Sequence, residues 1–272
     1  MAHGQVGIFI ANGDSVYLHS NDSVSFFTNV QAEGVFSSKP ESSLSFYGQN
    51  WQNSSSAKFP GNGWFVFAQP SSLGSDTIQN LGGANWDNRF PNIKLKNANN
   101  LHLVGVAGNR DTFQFDTGLV FHNKFDYVIG NNDPGEIIGF NQNKYFVTNH
   151  TNESDSGFLV RHTLSHSAVV YPVGADSNDY TPASLINNGV PDTFSVRVFP
   201  NVYAKGDSGV TDNVNSVART WNILESTAGS SSVNLTLQHN SSTEGSFYNR
   251  GDQYIARYMG ALNNAYKDTA GS

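Results

Sequence analysis

The sequence predicts an all-β protein, with a β-solenoid-like first half and an antiparallel β-sandwich in its second half. Apolar residues occur in alternating or continuous runs of about four to eight, such as VSFFTNV, GWFVFA and FSVRVF. Gly, Asn, Asp, Ser or Pro bounds each run, which is typical of short strands joined by turns. Because apolar residues at helical spacing are nearly missing, a chain of many short strands is favoured.

Residues 1–156 alternate short strands with Asn/Gly corners, as in NGDSVYLHSNDSVSFFTN and NIKLKNANNLHLVGV. Asn tolerates left-handed backbone angles and bonds to its own chain, so it suits tight corners. A coiled stack of short strands, a β-solenoid, would place strands and corners in this order. No exact period can be read, so an ordinary antiparallel sandwich stays open as the alternative for this half.

Residues 157–272 have longer strands, separated by prolines at 172, 182, 191 and 200. TFSVRVF and SVNLTLQH alternate between apolar and polar residues, which predicts antiparallel sheets with one face in the core. The composition shift in NHTNESDSG places the boundary between residues 156 and 157. GDQYIARYMGALNNAYKD tolerates a helix, but a strand at YIARYM followed by an irregular tail is preferred.

The amino-acid composition excludes several classes of binding partner and several kinds of site chemistry. The net charge is −7, and the few basic residues are scattered singly, so neither nucleic acid nor an anionic membrane surface is expected to bind. The 272 residues contain no cysteine, which excludes thiol catalysis, cysteine-based zinc sites and disulfides. No run of about 18 apolar residues exists, so no membrane insertion is expected.

Over residues 157–260 the order of motifs is SGFLVRHT, AVVYPVG, YTPASLINNGVPDTFSVRV, NSVARTWNILES, SSVNLTLQHNSSTEG and YIARYM. This closely resembles a β-sandwich module of large secreted and cell-surface proteins of Bacteroidetes. SLSFYGQNWQN and NIKLKNANNLHL are similar to the Asn/Gly-rich repeat region that usually precedes the module. The resemblance implies an exported, adhesin-like surface protein carried by the type IX route. No C-terminal sorting domain is recognised, so an internal or cargo part of a longer protein is expected.

The VVYPVG motif also has a structural explanation. Pro172 lacks an N–H for the sheet ladder and should end the strand, and Gly174 allows a turn where a side chain would clash. Arg219 shares a strand face with Trp221, so a buried guanidinium is expected to need an acidic partner. Glu225 and Asp192 are the predicted partners.

Four neighbouring residues are the candidate ligand site. Trp86 lies in the polar sequence GANWDNRF, where an exposed indole could stack on a sugar ring. Asp87, Asn88 and Arg89 could bond to its hydroxyl groups. The structural alternative is core packing, since most aromatic residues of an all-β protein are buried.

Calcium is the one cofactor for which the sequence offers ligands. The loops GNNDPGE, NESDSG and GADSNDY carry clustered Asp, Asn and Glu, which supply the oxygen ligands that calcium prefers. Asp176, Asn178 and Asp179 form the first choice. None of the loops follows the EF-hand pattern, so ordinary acidic turns are the alternative.

The Bacteroidetes resemblance also implies a modification. In exported proteins of that group, Asp-Ser/Thr-apolar tripeptides are O-glycosylated, and DSV, DTI and DTA here resemble them. The predicted acceptors, all expected at the surface, are Ser15, Ser23, Thr77 and Thr269.

No catalytic residue is predicted. The GDS at 13–15 and the GDSG at 206–209 echo serine-hydrolase motifs but lack the matching base and orienting residues. The leading hypothesis is therefore a non-enzymatic segment of an exported surface protein, a stalk or an adhesin, with glycans or other surface proteins as partners. The alternatives are a carbohydrate-binding module beside a separate catalytic domain, a β-helix polysaccharide enzyme using carboxylates such as Asp111, Asp116 and Asp126, and a phage fibre or decoration protein. The oligomeric state is not predicted.

Overall fold

The computed structural model describes residues 7–69, 78–83, 88–148, 157–258 and 266–268, the last three as backbone only. Within these ranges the chain forms 26 short strands and two single turns of 3-10 helix, Ser241–Thr243 and Arg250–Asp252. The predicted all-β class is confirmed. None of the helices in the described ranges is long and apolar enough to cross a membrane.

Parallel strands form three sides of a coil. Sheet A has eight strands: β1 (Gly7–Ile10), β4 (Asn29–Ala32), β7 (Asn50–Asn53), β9 (Gln79–Gly82), β11 (Leu101–Leu103), β14 (Val120–Phe121), β17 (Phe146–Val147) and β20 (Val173–Gly174). Sheet B has two parallel ladders: β2 (Ser15–Leu18) with β5 (Val35–Ser38), and β12 (Ala107–Asn109) with β15 (Tyr127–Ile129) and β18 (Leu159–Thr163). Sheet C has six strands: β3 (Ser23–Phe26), β6 (Ser43–Phe46), β8 (Trp64–Ala68), β10 (Asn92–Lys96), β13 (Thr112–Thr117) and β16 (Glu136–Ile138).

The chain visits sheets A, B and C in turn, so the first half is a β-solenoid of about six turns rather than an antiparallel sandwich. The turns differ in length. Asn50 pairs with Asn80, a step of 30 residues, whereas the step from Leu101 to its partner Val120 is 19. This irregularity explains why the sequence shows no exact period.

The inside of the coil is an aromatic core. Inward residues of successive turns stack on one another, as Val30, Trp51 and Leu81 do in sheet A. Trp51 is 1% exposed, and its indole N–H donates to the side-chain oxygen of Asn53 at 2.7 Å. The largest fully buried side chains include eight phenylalanines, whose removal from water stabilises the fold: Phe36, Phe46, Phe65, Phe67, Phe90, Phe113, Phe115 and Phe146.

The second half adds antiparallel sheets, as predicted. One is formed by β18 with β22 (Asp192–Pro200) and β23 (Arg219–Glu225), and the other by β19 (Ala168–Tyr171), β21 (Ala183–Asn187) and β24 (Val233–Leu237). The final pair is β25 (Ile255–Arg257) with β26 (Tyr266–Asp268). β25 agrees with the strand expected in YIARYM, whereas β26 lies in the tail that was expected to be irregular. Parallel pairing continues past residue 156, because β15 pairs with β18 and β17 with β20.

Asparagine does occupy the tight corners. Within the described ranges, seven residues other than glycine have a positive φ, and five of them are asparagines: Asn21, Asn100, Asn123, Asn132 and Asn201. The other two, Glu41 and His166, adopt the same backbone region without that advantage.

VVYPVG is the point where the chain leaves an antiparallel sheet and enters sheet A. β19 ends at Tyr171, and β20 begins directly after Pro172. The Pro172 carbonyl accepts the N–H of Phe146 at 2.9 Å. Pro172 therefore still contributes an acceptor to the ladder, and only the N–H that proline lacks is absent. A Cβ on Gly174 would lie 2.1 Å from the Asp179 carbonyl oxygen, so glycine allows this close approach.

Candidate functional site

The loop after Gly174 is held by a buried ion pair. Asp179 is 3% exposed, and its carboxylate accepts from the Arg219 Nε and, at 2.9 Å, from the Asn240 side-chain amide. Trp221 donates its indole N–H to the Thr181 carbonyl at 3.0 Å beside this pair. The prediction that Arg219 needs an acidic partner is therefore confirmed, but the predicted identity of the partner was wrong.

The two residues predicted as that partner serve as backbone caps instead. Asp192 accepts the N–H groups of Thr193 and Thr227 at 2.7 and 2.8 Å. Glu225 accepts the N–H of Ser231 at 3.2 Å. Both carboxylates thereby satisfy turn N–H groups next to the antiparallel strands, so neither is free to face Arg219.

The predicted calcium ligands lie in one turn but point in different directions. Asp176 is exposed, and its carboxylate accepts the N–H of Asn178 at 2.8 Å. Its carbonyl accepts the Tyr145 hydroxyl at 2.6 Å, and that hydroxyl in turn accepts the N–H of Asp179 at 3.0 Å. Across the described residues, no three His, Cys, Asp or Glu side chains are grouped so as to hold a metal. Of the three predicted ligands, Asp179 is already bonded to Arg219 and Asn240, whereas Asp176 and Asn178 are exposed. Calcium binding stays a prediction.

The predicted sugar-binding residues are only partly described. Trp86 and Asp87 lie outside the described residues. Asn88 is buried and donates to the Ser54 carbonyl, while Arg89 donates to the Gly130 carbonyl and, at 3.1 Å, to the Asn131 side chain. These contacts tie the segment to neighbouring turns of the solenoid.

Arg89 also lines a shallow depression of about 130 Å³ on sheet B, with Arg161, His162 and Thr193 among its walls. Arg161 is buried and donates its Nε and Nη2 to the carbonyls of Pro134 and Gly135 at 2.9 and 2.8 Å. Burial lowers the pKa of Arg161 to about 10, so it is still protonated at neutral pH. Since its donors already serve carbonyl groups, this arginine fixes the backbone beneath the depression.

Two of the predicted glycosylation acceptors can be located. Ser15 in β2 and Ser23 in β3 are both exposed, as expected of surface acceptors. Thr77 and Thr269 lie outside the described residues. The modification itself stays a prediction.

The carboxylates suggested for an enzymatic role lie on different parts of the coil. Asp116 is in β13 and accepts the side-chain amide of Gln114 at 2.8 Å. Asp111 is in the corner between sheets B and C, and Asp126 lies just before β15. Asp126 accepts the Phe158 N–H at 2.8 Å, and burial raises the pKa of its carboxyl group.

Among the described tryptophans, Trp64 is placed to contact a ligand from solvent, and Trp51 is not. Trp51 is in the core, whereas Trp64 points outward from sheet C and is partly exposed. The Lys94 ammonium lies 5.2 Å from the centre of the Trp64 ring. The sequence contained the signal for this, because the inward positions in WFVFA belong to Phe65 and Phe67, which leaves Trp64 on the outer face.

Trp64 belongs to a flat surface that we call the sheet C face. Cross-strand register aligns its outward residues into two columns that run along the solenoid axis. The columns are Ser23, Ser43, Trp64, Asn92, Thr112 and Glu136, and Ser25, Ser45, Val66, Lys94, Gln114 and Ile138. Neighbouring members are about 4.7–4.9 Å apart, the spacing of paired strands. The face thus offers hydroxyl groups and an ammonium around one partly exposed indole, whereas the Asn92 amide is buried and donates to the Asn62 carbonyl at 2.9 Å.

Comparison with known proteins found no family, no curated protein and no solved structure that matches this chain. The structure itself gives the fold class, which is a β-solenoid with appended antiparallel sheets. The Bacteroidetes resemblance stays a prediction.

Proposed function

We propose that this chain is a non-enzymatic segment of an exported cell-surface protein, and that the sheet C face binds an extended glycan. The export and surface location rest on the sequence resemblance. The observation that supports the binding role is that Trp64 and Lys94 line up with the hydroxyl-bearing residues Ser43 and Ser45 in the two columns. A linear polysaccharide lying along the solenoid axis would meet hydroxyl groups, the indole and the ammonium on successive turns.

The chemistry of the face suits a sugar better than an anionic polymer. An indole can cover the apolar face of a pyranose ring, and neighbouring Ser43 and Ser45 hydroxyls can exchange hydrogen bonds with its hydroxyl groups. The single ammonium of Lys94 lies in a chain of net charge −7, so long-range attraction of an anionic ligand is weak. Affinity would come from short-range contacts repeated along the face.

The acidic side chains support a binding role in a different way. Several of those described above hold the backbone or an internal cation, as Asp192 does with two N–H groups and Asp179 does with Arg219. Groups committed to such bonds stabilise the fold and are poorly placed to exchange protons with a substrate.

A glycan array with the purified chain tests the proposal. Wild type should bind an extended neutral glycan, and Trp64→Ala should weaken binding by about tenfold, which is the scale of one lost aromatic contact. Phe247→Ala is the matched control, because Phe247 is an aromatic side chain 76% exposed on the C-terminal segment. Equal binding by wild type and Trp64→Ala, or no glycan bound at all, would refute the proposed face.

The same array in the presence of EDTA tests the calcium prediction separately. Loss of binding in EDTA would support a calcium site at Asp176 and Asn178. Binding that survives EDTA and depends on Trp64 would assign the affinity to the sheet C face alone.

A further inference from the structure

The depression on sheet B combines an apolar floor with polar walls. Val128 and Val160 are cross-strand neighbours in β15 and β18, and these two buried side chains form the floor. Arg89, His162 and Thr193 supply polar groups. Apolar surface with a few directed polar groups is typical of small-molecule sites. The volume of about 130 Å³ is about four times that of a water molecule in the liquid, so the depression suits one small chemical group rather than an oligosaccharide.

The lining of the depression is cationic. Arg89 and Arg161 line it together with His162, and among the described residues no Asp or Glu does. Arg161 is 5% exposed and donates to carbonyl groups, and no described carboxylate forms an ion pair with it. Its positive charge acts strongly on its surroundings because water is excluded around it. The depression therefore favours an anion, although the chain as a whole is negative.

Two carboxylates influence Arg161 without lining the depression. Burial lowers the pKa of Arg161, and the opposing effects come from Tyr171 first and then from Asp133 and Glu136. The Asp133 carboxylate accepts the N–H of Gly135 at 2.7 Å. Glu136 is exposed on the sheet C face. Neither acid therefore neutralises the positive charge at the lining itself.

Two side chains of the lining can donate hydrogen bonds to an anion. The Thr193 hydroxyl lies 3.2 Å from the Nδ1 of His162. When that hydroxyl donates to Nδ1, the hydrogen of the neutral imidazole is on Nε2, which bonds to no described residue. Arg89 donates to the Gly130 carbonyl and to the Asn131 side chain. A guanidinium carries five N–H groups, which is more than these two contacts use.

The loop beside these side chains adds backbone donors. Gly130 and Asn132 have positive φ angles of 93° and 66°, whereas Asn131 between them does not. Backbone that alternates between the two hands turns successive N–H groups towards one side, which is a concavity that binds anions. The N–H groups of Asn131 and Asn132 donate to no described residue. Both residues line the depression.

We propose that this depression binds the carboxylate group of a small molecule or of an acidic sugar. Arg89, His162 and the loop N–H groups would donate to its two oxygens, because charge-assisted hydrogen bonds from such donors are strong. The planar guanidinium matches a planar carboxylate. The valine floor suits the carbon next to a carboxylate better than the fourth oxygen of a phosphate. The site is on sheet B, so it does not depend on glycan binding by the sheet C face.

Ligand-observed NMR can compare glucuronate with glucose, which has a hydroxymethyl group in place of the carboxylate. At constant ionic strength, wild type should bind glucuronate at least about tenfold more tightly, the scale of one hydrogen bond to a charged group. Arg89→Gln should abolish this preference. Arg250→Gln is the matched control, because it removes a guanidinium whose side chain is 67% exposed outside the depression. Equal affinity of wild type for both sugars, or a preference that survives Arg89→Gln, would overturn the proposal.

Acetate distinguishes the two sources of the carboxylate. Acetate binding that depends on Arg89 would show that the carboxylate alone is recognised. Binding of glucuronate without acetate would show that the site also needs the sugar ring, and would support the acidic sugar as the ligand.

Hydrogen exchange gives a test that needs no variant. With glucuronate at ten times its Kd, the amides of residues 130–132 should exchange about tenfold more slowly, because only the unliganded fraction exchanges. The same concentration of glucose should leave them unchanged. Peptides from the C-terminal segment should exchange at one rate throughout. Unchanged exchange at residues 130–132 would rule out the site even if Arg89→Gln failed to fold.

Discussion

At the scale of single residues, His122 is a histidine that the fold places in an aromatic part of the core. It is fully buried, and neither ring nitrogen has a hydrogen-bond partner. The rings of Phe146 and Tyr127 surround it at centre distances of 5.6 and 6.4 Å. Burial lowers the pKa of His122 to about 3, against a smaller opposing effect from the Phe125 backbone. The fold therefore holds this imidazole in its neutral form.

The protein should lose stability as the pH falls from about 6.5 towards 3. In this window the unfolded chain binds a proton at His122, since a free imidazole has a pKa near 6.5, whereas the folded chain does not. Stability then rises with pH, because the unfolded state binds more protons. His122→Phe removes this titration, so the difference in unfolding free energy between variant and wild type should change by about 1.4 kcal/mol per pH unit.

Urea unfolding at pH 7, 5.5 and 4 measures this difference. The carboxylates titrate in both proteins, so their contribution to the difference largely cancels. His19→Gln is the control for replacing a histidine, because the His19 side chain is 76% exposed. Parallel pH profiles for wild type and His122→Phe would contradict the prediction.

The identity of an ion-pair partner could not be predicted from the sequence. The need of Arg219 for an acid follows from its strand face, but its partner Asp179 lies 40 residues away in the chain. Asp192 and Glu225 have the right chemistry, and only the docking of the loop after Gly174 onto β23 decides among them. Trp64 differs, because its outward position follows from alternation within its own strand.

At the scale of elements, strand identity could be predicted and strand pairing could not. Alternation and turn residues determine where short strands form, and the corner asparagines follow from backbone preference. Strand pairing depends on which turns of the solenoid are neighbours, and the corners between strands contain different numbers of residues. The 30-residue step from Asn50 to Asn80 and the 19-residue step from Leu101 to Val120 give equally regular ladders. Sheet order therefore required the structure.

Gly174 provides the test at this scale, where β20 enters sheet A. An added Cβ would meet the Asp179 carbonyl oxygen at 2.1 Å and the Tyr145 ring at 2.4 Å, so the backbone must shift. We expect Gly174→Ala to lower the unfolding free energy by about 2–3 kcal/mol, the scale of overpacking. Gly229→Ala is the matched control, since Gly229 has a positive φ of 98° but nothing within 4 Å of the added carbon. It should cost about 1 kcal/mol by chemical denaturation. Equal losses would contradict the close-approach explanation, because Gly174, unlike Gly229, does not have a positive φ.

At the scale of the whole molecule, the solenoid and the antiparallel sheets share one hydrophobic core. A single cluster of buried residues extends from Leu18 in the first turn to Val198 in β22. The composition shift near residue 156 indicated a boundary, yet the parallel pairs β15–β18 and β17–β20 join residues on its two sides. Amino-acid composition shows where the local mixture of residue types changes along the chain. Cooperative unfolding depends instead on which strands share hydrogen bonds and a hydrophobic core.

Cutting the chain at this boundary would show whether its two sides unfold as one cooperative unit or as independent domains. We expect a protein whose residues 149–156 are replaced by a specific protease site to remain one particle after complete cleavage. Strand β18 would keep its ladder with β15, and β20 its ladder with β17, so the two pieces should co-elute and melt in a single transition. The uncut protein of the same sequence is the control for the insertion. Two separate peaks in chromatography, or two resolved melting transitions, would instead show that the pieces are independent domains, and the shared core would then contribute little to their association.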